Sequence, residues 1–193
     1  LEVWKKFCRK FNLKIFDAVV TPAQDNCSIR VFFSKDKKIK ETQRLKTLIK
    51  YEKANKINSY KTSKIYEKKV KNSWKILKQE LIKLKKENKT IVAYGASAKS
   101  GTISRCADLG KDLIDFYIDD SPSKQGLYTP IYNIPILSKK DGYRKKIDYL
   151  LILAVNYADM IIKKETEFKR KGGKFIVPRG EKIQFVWFIL DLA

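Results

Sequence analysis

The spacing of apolar positions changes twice along the chain. Leu1, Trp4, Phe7, Cys8 and Phe11 recur every third or fourth residue, which predicts a helix, and LKIFDAVVTP and SIRVFFS read as two strands around the turn AQDN. From Lys37 to Lys89 there is no Gly or Pro, and charge dominates. Within it Tyr66, Val70, Trp74, Leu77, Leu81 and Leu84 step by four and three, the stripe of an amphipathic helix that covers a neighbouring sheet or links two domains. From Thr90 to Pro178 the strands IVAYG, LIDFYID, IDYLLILAV and GGKFIVP alternate with helices over Ala98 to Leu109 and over YADMIIKKETEFKRK, the last ending at Gly172 and Gly173. The apolar tail FVWFILDLA reads as a final strand.

Apolar, β-branched strands with helical crossovers imply a parallel sheet buried on both faces. The predicted fold is α/β: a Rossmann-like, mostly parallel sheet with flanking helices, preceded by a helical linker and a β-hairpin from an upstream domain. The boundaries fall at residues 1–36, 37–89 and 90–193. A helix and a hairpin make a poor domain by themselves, and they read as the end of a sheet whose other strands lie upstream. The chain opens at Leu1 and its only Met is Met160, as expected of a piece of something longer.

Charge adds one question. The formal net charge is +22, carried by 36 Lys against 7 Arg and densest between Lys35 and Lys89. Phosphate readers that need a bidentate fork favour Arg, and the aromatics do not interleave with the lysines as stacking platforms do. The run therefore reads as a solvated helical face, with no nucleic-acid partner. The three cysteines, Cys8, Cys27 and Cys106, form no CxxC and there is no His, so no metal site is expected and the thiols read as reduced, in a cytoplasmic protein. No run approaches the length of a membrane span.

Candidate chemistry gathers where the third zone's strands end. In Tyr94-Gly95-Ala96-Ser97-Ala98-Lys99-Ser100-Gly101-Thr102, Gly95 permits a turn closed to other residues and the small side chains let main-chain N–H groups approach an anion at a helix N-terminus. Lys99 adds a point charge, and Ser97, Ser100 and Thr102 add hydroxyls. The loop is neither GxGxxG nor GK[ST], so phosphate binding and a tight structural turn both remain open. Asp119 follows Gly95 by 24 positions, near the spacing at which an acid meets a ribose in dinucleotide folds, though Asp119 and Asp120 can equally cap the turn SPSK. Ser121, Lys124 and Gln125 can face the same crevice, and Asn156 and Tyr157 follow the next apolar strand at the edge that binds ligands in open α/β sheets.

These ordered segments carry a resemblance. YGASAKSGT, IDFYIDDSPSKQGLYTP, IPILS, DYLLILAVNYADMIIKK and GGKFIVP together resemble, over about 90 residues, the C-terminal domain of the bacterial sugar C-methyltransferases, S-adenosylmethionine-dependent enzymes that methylate a carbon of a nucleotide-linked deoxysugar. CRKFNLKIFDAVVTPAQDNCSIRVFF is similar to the last helix and final hairpin of that family's methyltransferase domain. The chain departs from the family at Asp25, Asn26 and Cys27, where relatives usually carry His-Gly-Gly, and at Ser100-Gly101, where they often read Gly-Asn.

The resemblance implies that a zinc-binding segment, the S-adenosylmethionine site and a His base lie upstream of this region. No catalytic residue is therefore assigned here. It implies instead that the loop from Tyr94 to Thr102 faces the diphosphate or sugar, with Tyr94, Gly95, Ser97, Lys99 and Thr102 as substrate-binding residues. Asp119, Ser121, Lys124 and Gln125 would line the same cleft, with Asn156 opposite. The other reading is a stand-alone nucleotide- or dinucleotide-binding module, against which the missing GxGxxG counts for NAD.

Overall fold

The computed structural model describes residues 1–21, 28–179 and 182–186. The chain divides into two compact units, Leu1–Glu67 and Lys68–Ala193, with the division inside one helix. The turn around Asp25, Asn26 and Cys27 and most of the apolar tail lie outside the described residues.

In the first unit a helix, α1 (Glu2–Lys10), precedes an antiparallel hairpin of β1 (Lys14–Thr21) and β2 (Ser28–Ser34), and α2 (Gln43–Ala54) follows. Leu1, Cys8, Ile15, Ala18 and Leu45 form its core. The register shifts between Ile15 and Asp17, a bulge that breaks the alternation and leaves Asp17 and Ala18 both buried. Asp17 is satisfied from α2: Arg44 donates to both carboxylate oxygens, and the N-cap residue Thr42 donates its hydroxyl at 2.6 Å. Trp4, Phe7 and Phe11, in edge-to-face and tilted contacts at centroid separations of 5.8 and 4.9 Å, stay exposed, as do Val20, Ile29 and Phe33.

The glycine-free stretch holds two helices. α2 ends because Lys56 turns to φ +49 and the Ile57 N–H reaches back to the Glu52 carbonyl at 3.1 Å, a left-handed cap made without glycine. Ser59 then accepts from the Thr62 N–H at 3.1 Å and starts α3 (Tyr60–Lys86).

The second unit is a six-stranded sheet. Its members are β3 (Ile91–Tyr94), β4 (Phe116–Ile118), β5 (Ile136–Leu137), β6 (Tyr149–Ile152), β7 (Lys174–Arg179) and β8 (Lys182–Val186). Their spatial order is β5-β4-β3-β6-β7-β8, parallel except for β8, which runs antiparallel to β7. This is the doubly wound order in which the chain leaves the central strand in both directions, with the switch between β3 and β6. Successive strand residues feed opposite faces. Ile91, Ala93, Tyr117, Leu151 and Ile176 pack with Leu77 and Leu81 of α3 and with Ile103 and Ala107 of α4 (Ala98–Ala107). Val92, Tyr94, Phe116, Ile118, Leu150, Phe175 and Val177 pack on the other face with residues of α6 (Ala158–Lys164) and α7 (Thr166–Arg170).

A short helix, α5 (Lys139–Gly142), follows β5. The helix expected from Tyr157 onward is broken at Glu165 (φ −84, ψ 54), whose buried carboxylate accepts from Lys139 Nζ at 2.8 Å and the Tyr143 hydroxyl at 2.7 Å. No helix among the described residues is long and apolar enough to cross a membrane.

Because Leu81 is fully buried between α3 and the sheet, Leu81→Ala is expected to destabilise the second unit by about 3 kcal/mol, cavity cost included. Ile76→Ala, at an exposed position of the same helix, is expected to cost less than about 0.5 kcal/mol. Urea unfolding followed at the tyrosine and tryptophan signals measures both.

Candidate functional site

At the end of β3 the chain must turn sharply, and Gly95 does so at φ +94 while its N–H donates to the Ile118 carbonyl at 2.8 Å. A Cβ placed here would stand 2.6 Å from the Cβ of Ala154, which follows β6. The absence of that one carbon lets the loops after β3 and β6 close together at the switch point. Ser97 caps α4, its Oγ accepting from the Ser100 N–H at 3.2 Å, and the Ser100 hydroxyl donates to the Ser97 carbonyl at 2.6 Å. The N–H groups of Ala98 and Lys99, in the first turn, have no intrahelical partner and carry the positive end of the helix dipole. Lys99 Nζ crosses the crevice to Asn156 Oδ1 at 2.7 Å. Asn156 is presented by the 3-10 turn Val155–Tyr157.

Asp119 sits at the tip of β4, buried. Its Oδ2 accepts from the Ala96 N–H at 2.7 Å and from Lys124 Nζ at 3.3 Å, and its Oδ1 accepts from the Ser121 N–H at 2.8 Å. Gln125 Nε2 donates to the Asp119 carbonyl at 3.0 Å. Burial opposes ionisation of this carboxyl, but the bonds from Ser121, the Ala96 N–H and Lys124 outweigh it and hold the group below the ordinary carboxylate range. Ser121, Lys124 and Gln125 thus gather around Asp119, and Asp119 in turn holds the β3–α4 loop.

Two expected residues have other engagements. The Tyr94 hydroxyl meets both oxygens of Asp120 at 3.1 Å, and Lys164 Nζ binds the same carboxylate at 2.9 Å. Burial, with the Glu165 and Asp120 carboxylates nearby, pushes the Tyr94 phenol well above its usual range and keeps it protonated. Thr102 lies one turn into α4, exposed, its hydroxyl donating to the Ala98 carbonyl at 3.3 Å. The structure therefore brings Gly95, Ser97, Lys99, Asp119, Ser121, Lys124, Gln125 and Asn156 to one edge of the sheet.

Sequence reading missed a cavity of about 260 Å³ between α4 and the segment Leu127 to Tyr132, floored by Tyr117 and Ile136. The cluster of aromatic residues in GLYTPIYN was the available signal. Among the described residues no group of three or more His, Cys, Asp or Glu side chains could hold a metal ion.

The two glycines of the loop and helix are expected to respond oppositely. Gly95→Ala should cost about 2–3 kcal/mol, from the positive φ and the collision with Ala154. Gly101→Ala, with open space around its Cβ, should gain up to about 1 kcal/mol from helix propensity. Asp119→Asn should lower the melting temperature at pH 7. Since the folded-state pKa of Asp119 is depressed, its contribution is fully present above the unfolded carboxyl's pKa and is lost as pH falls through the folded one, so the gap between wild type and variant should be narrower at pH 3 than at pH 7. Thermal melts at the two pH values measure the gap.

Residues 26–179 match the model of the C-methyltransferase C-terminal domain. The C-methyltransferase NovU of Streptomyces niveus is 41% identical over 95 residues, 49% of this chain and 23% of that protein. The match thus spans less than a quarter of that relative's length. The crystal structure of UDP-D-quinovosamine 4-dehydrogenase from Vibrio fischeri is similar with a TM-score of 0.35 and 16% identity, over 51% of this chain and 93% of that one. The family match covers the hairpin's second strand, both helices after it and the sheet to the end of β7, and on it the chain belongs to the C-methyltransferase C-terminal domain family.

Proposed function

We propose that this chain is the substrate-holding part of an S-adenosylmethionine-dependent sugar C-methyltransferase, and that its Rossmann-like sheet grips a nucleotide-linked deoxysugar at the carboxyl edge. The observation that carries the reading is the Lys99 to Asn156 bridge across the switch point, beside the N-terminus of α4. A neutral amide oxygen is a weak partner for an ammonium. A diphosphate at the same place makes charge-assisted bonds to Lys99 and to the Ala98 and Lys99 N–H groups, and displaces Asn156.

Asp119 serves this grip indirectly. Its buried carboxylate positions the Ala96 amide and with it the loop, so Asp119 is a positioning residue. The same burial argues against a dinucleotide or S-adenosylmethionine here, because the acid that a ribose needs is turned onto protein donors. The residues present do not fit S-adenosylmethionine or zinc, and both belong, on this reading, to parts of the protein outside this chain. Residues 1–36 are assigned to the end of the methyltransferase domain. The exposed apolar residues of the two-stranded hairpin suit a larger sheet. Residues 37–89 are the linker and 90–193 the substrate-holding domain, in a cytoplasmic protein.

The contribution to catalysis is geometric. A sugar held by its nucleotide presents its reacting carbon in one orientation, and remote binding energy is spent on that orientation.

Calorimetric titration of the chain with a dTDP-linked deoxysugar is expected to show saturable binding that persists at raised salt, weakened about tenfold by Lys99→Ala, the loss of one charge-assisted contact. NAD and S-adenosylmethionine are expected not to bind. Absence of nucleotide-sugar binding overturns the proposal, and saturable NAD binding favours a dinucleotide-binding module.

A further inference from the structure

Part of the lysine surplus gathers at the amino edge of the second unit's sheet, opposite the edge described so far. β3, β6 and β7 are neighbours in register, with Ile91 beside Tyr149 and Tyr149 beside Lys174. The segments that enter them are therefore neighbours as well. Asp148 ties them together: its carboxylate accepts from the Thr90 N–H at 2.8 Å, and its carbonyl accepts from the Lys174 N–H at 3.2 Å. Residues 83–89, 144–148 and 169–174 carry eleven Lys or Arg against the two acids Glu87 and Asp148. Lys86, Lys145, Lys146, Arg170 and Lys171 are exposed.

Set among these charges is a cavity of about 240 Å³ with an apolar floor. Tyr143, Ile147 and Phe168 form the floor, the Tyr143 and Phe168 rings stacked at 6.1 Å between centroids, and Lys145, Lys146, Lys171 and Glu167 form the rim. Gly173 makes the floor possible, since a Cβ there would stand 2.3 Å from the Phe168 ring. The acid on the rim is already paired, Glu167 with Lys171 at 2.9 Å. At ~30 Å³ per water the cavity holds roughly eight water volumes, the size of one aromatic or large aliphatic side chain.

We infer that this edge is a docking surface for an acidic protein segment, which places one apolar side chain in the cavity and carboxylates on the cations around it. An apolar anchor in a pocket ringed by charge of one sign gives affinity at the centre and steering at the rim. Three other partners fit the surface worse. An anionic membrane needs apolar side chains to insert, and none of the exposed large hydrophobic residues among the described residues lies on these segments. Nucleic acid favours arginine forks and open aromatic faces, whereas nine of the eleven cations are lysine and both rings line the cavity. A second copy of a chain with net charge +22 brings repulsion instead of carboxylates. The length of the four-residue strands β3 and β6, about 13 Å, separates this surface from the crevice of Lys99 and Asn156.

The test is fluorescence-anisotropy titration of the whole chain with a short labelled peptide that carries one Phe between runs of Glu and Asp, beside the same peptide with Ser in place of Phe. The Phe peptide should bind at least about tenfold more tightly than the Ser peptide, the worth of one buried anchor. The triple variant Lys86→Glu, Lys145→Glu, Arg170→Glu, with one exposed position on each segment, should weaken the Phe peptide about tenfold or more. The matched triple Lys61→Glu, Lys68→Glu, Lys75→Glu, at exposed positions of α3, should change it less than about threefold. Thermal melts check the folding of both variants, and a measurement on wild type alone needs neither: the Ile147 methyl resonances should shift with the Phe peptide and stay in place with the Ser peptide. If the Phe peptide does not bind, if the two peptides bind alike, if the two triple variants lose affinity equally, or if Ile147 does not respond, the edge is no docking surface for such a segment. A DNA duplex or a phosphatidylglycerol vesicle that binds wild type more tightly than the Phe peptide, and loses that binding only in the edge triple, gives the edge to another class of partner and overturns the proposal equally.

Discussion

The carboxyl edge of the second unit's sheet depends on one buried carboxylate. Asp119 ends β4, takes the N–H of Ala96 from the loop after β3, takes the N–H of Ser121 and the ammonium of Lys124 from its own turn, and donates its own N–H to Leu137 of β5 at 3.3 Å. Three strand ends are thereby tied to one residue. An unpaired charge in that position costs several kcal/mol, so every donor around it is obligatory. The close pass of Gly95 over Ala154 then sets β3 against β6. Anchoring of this kind gives the first turn of α4 a fixed place.

A parallel arrangement on the other face of the sheet is structural in the same sense. Glu165, Tyr143 and Lys139 close one set around a buried carboxylate, and Asp120, Tyr94 and Lys164 close a second, more exposed set beside it. Each acid has a cation, and each phenol has an acid. The first unit repeats the device with Asp17, Arg44 and Thr42, which join the hairpin to α2. In a chain with 43 basic and 21 acidic residues, carboxylates are the scarce partner, and the structure spends them at joints.

Helix ends explain where the sequence was hard to read. α1, α3 and α4 stop at Asn12, Asn88 and Asp108, with φ of +57, +56 and +52, and α2 stops before Lys56. In each case a later N–H reaches back five residues, as from Leu13 to Cys8, Lys89 to Leu84 and Leu109 to Ser104. Among the described helices only α7 uses the expected glycine, Gly172 at φ +77. The break between α2 and α3 carries neither Gly nor Pro. β5, of two residues, is too short to show a period, and it exists because β4 offers it an edge.

What the sequence determined by itself was the α/β class, the apolar strands of a parallel sheet, the small-residue loop, and the motifs that carry the family. All of these are written in local spacing, where period and side-chain size act within a few residues. Tertiary structure decided what the polar residues do. Asp119 faces inward because Ala96, Ser121 and Lys124 converge on it from both sides of the loop, and Tyr94 meets Asp120 on the far face because strand residues alternate. The cavity of Ser104, Tyr117 and Tyr128 has only a partial local signature, the aromatic residues of GLYTPIYN. Its walls come from a helix, two strands and a loop that only the fold places together, and a volume enclosed by distant segments cannot be written in the spacing of any one of them.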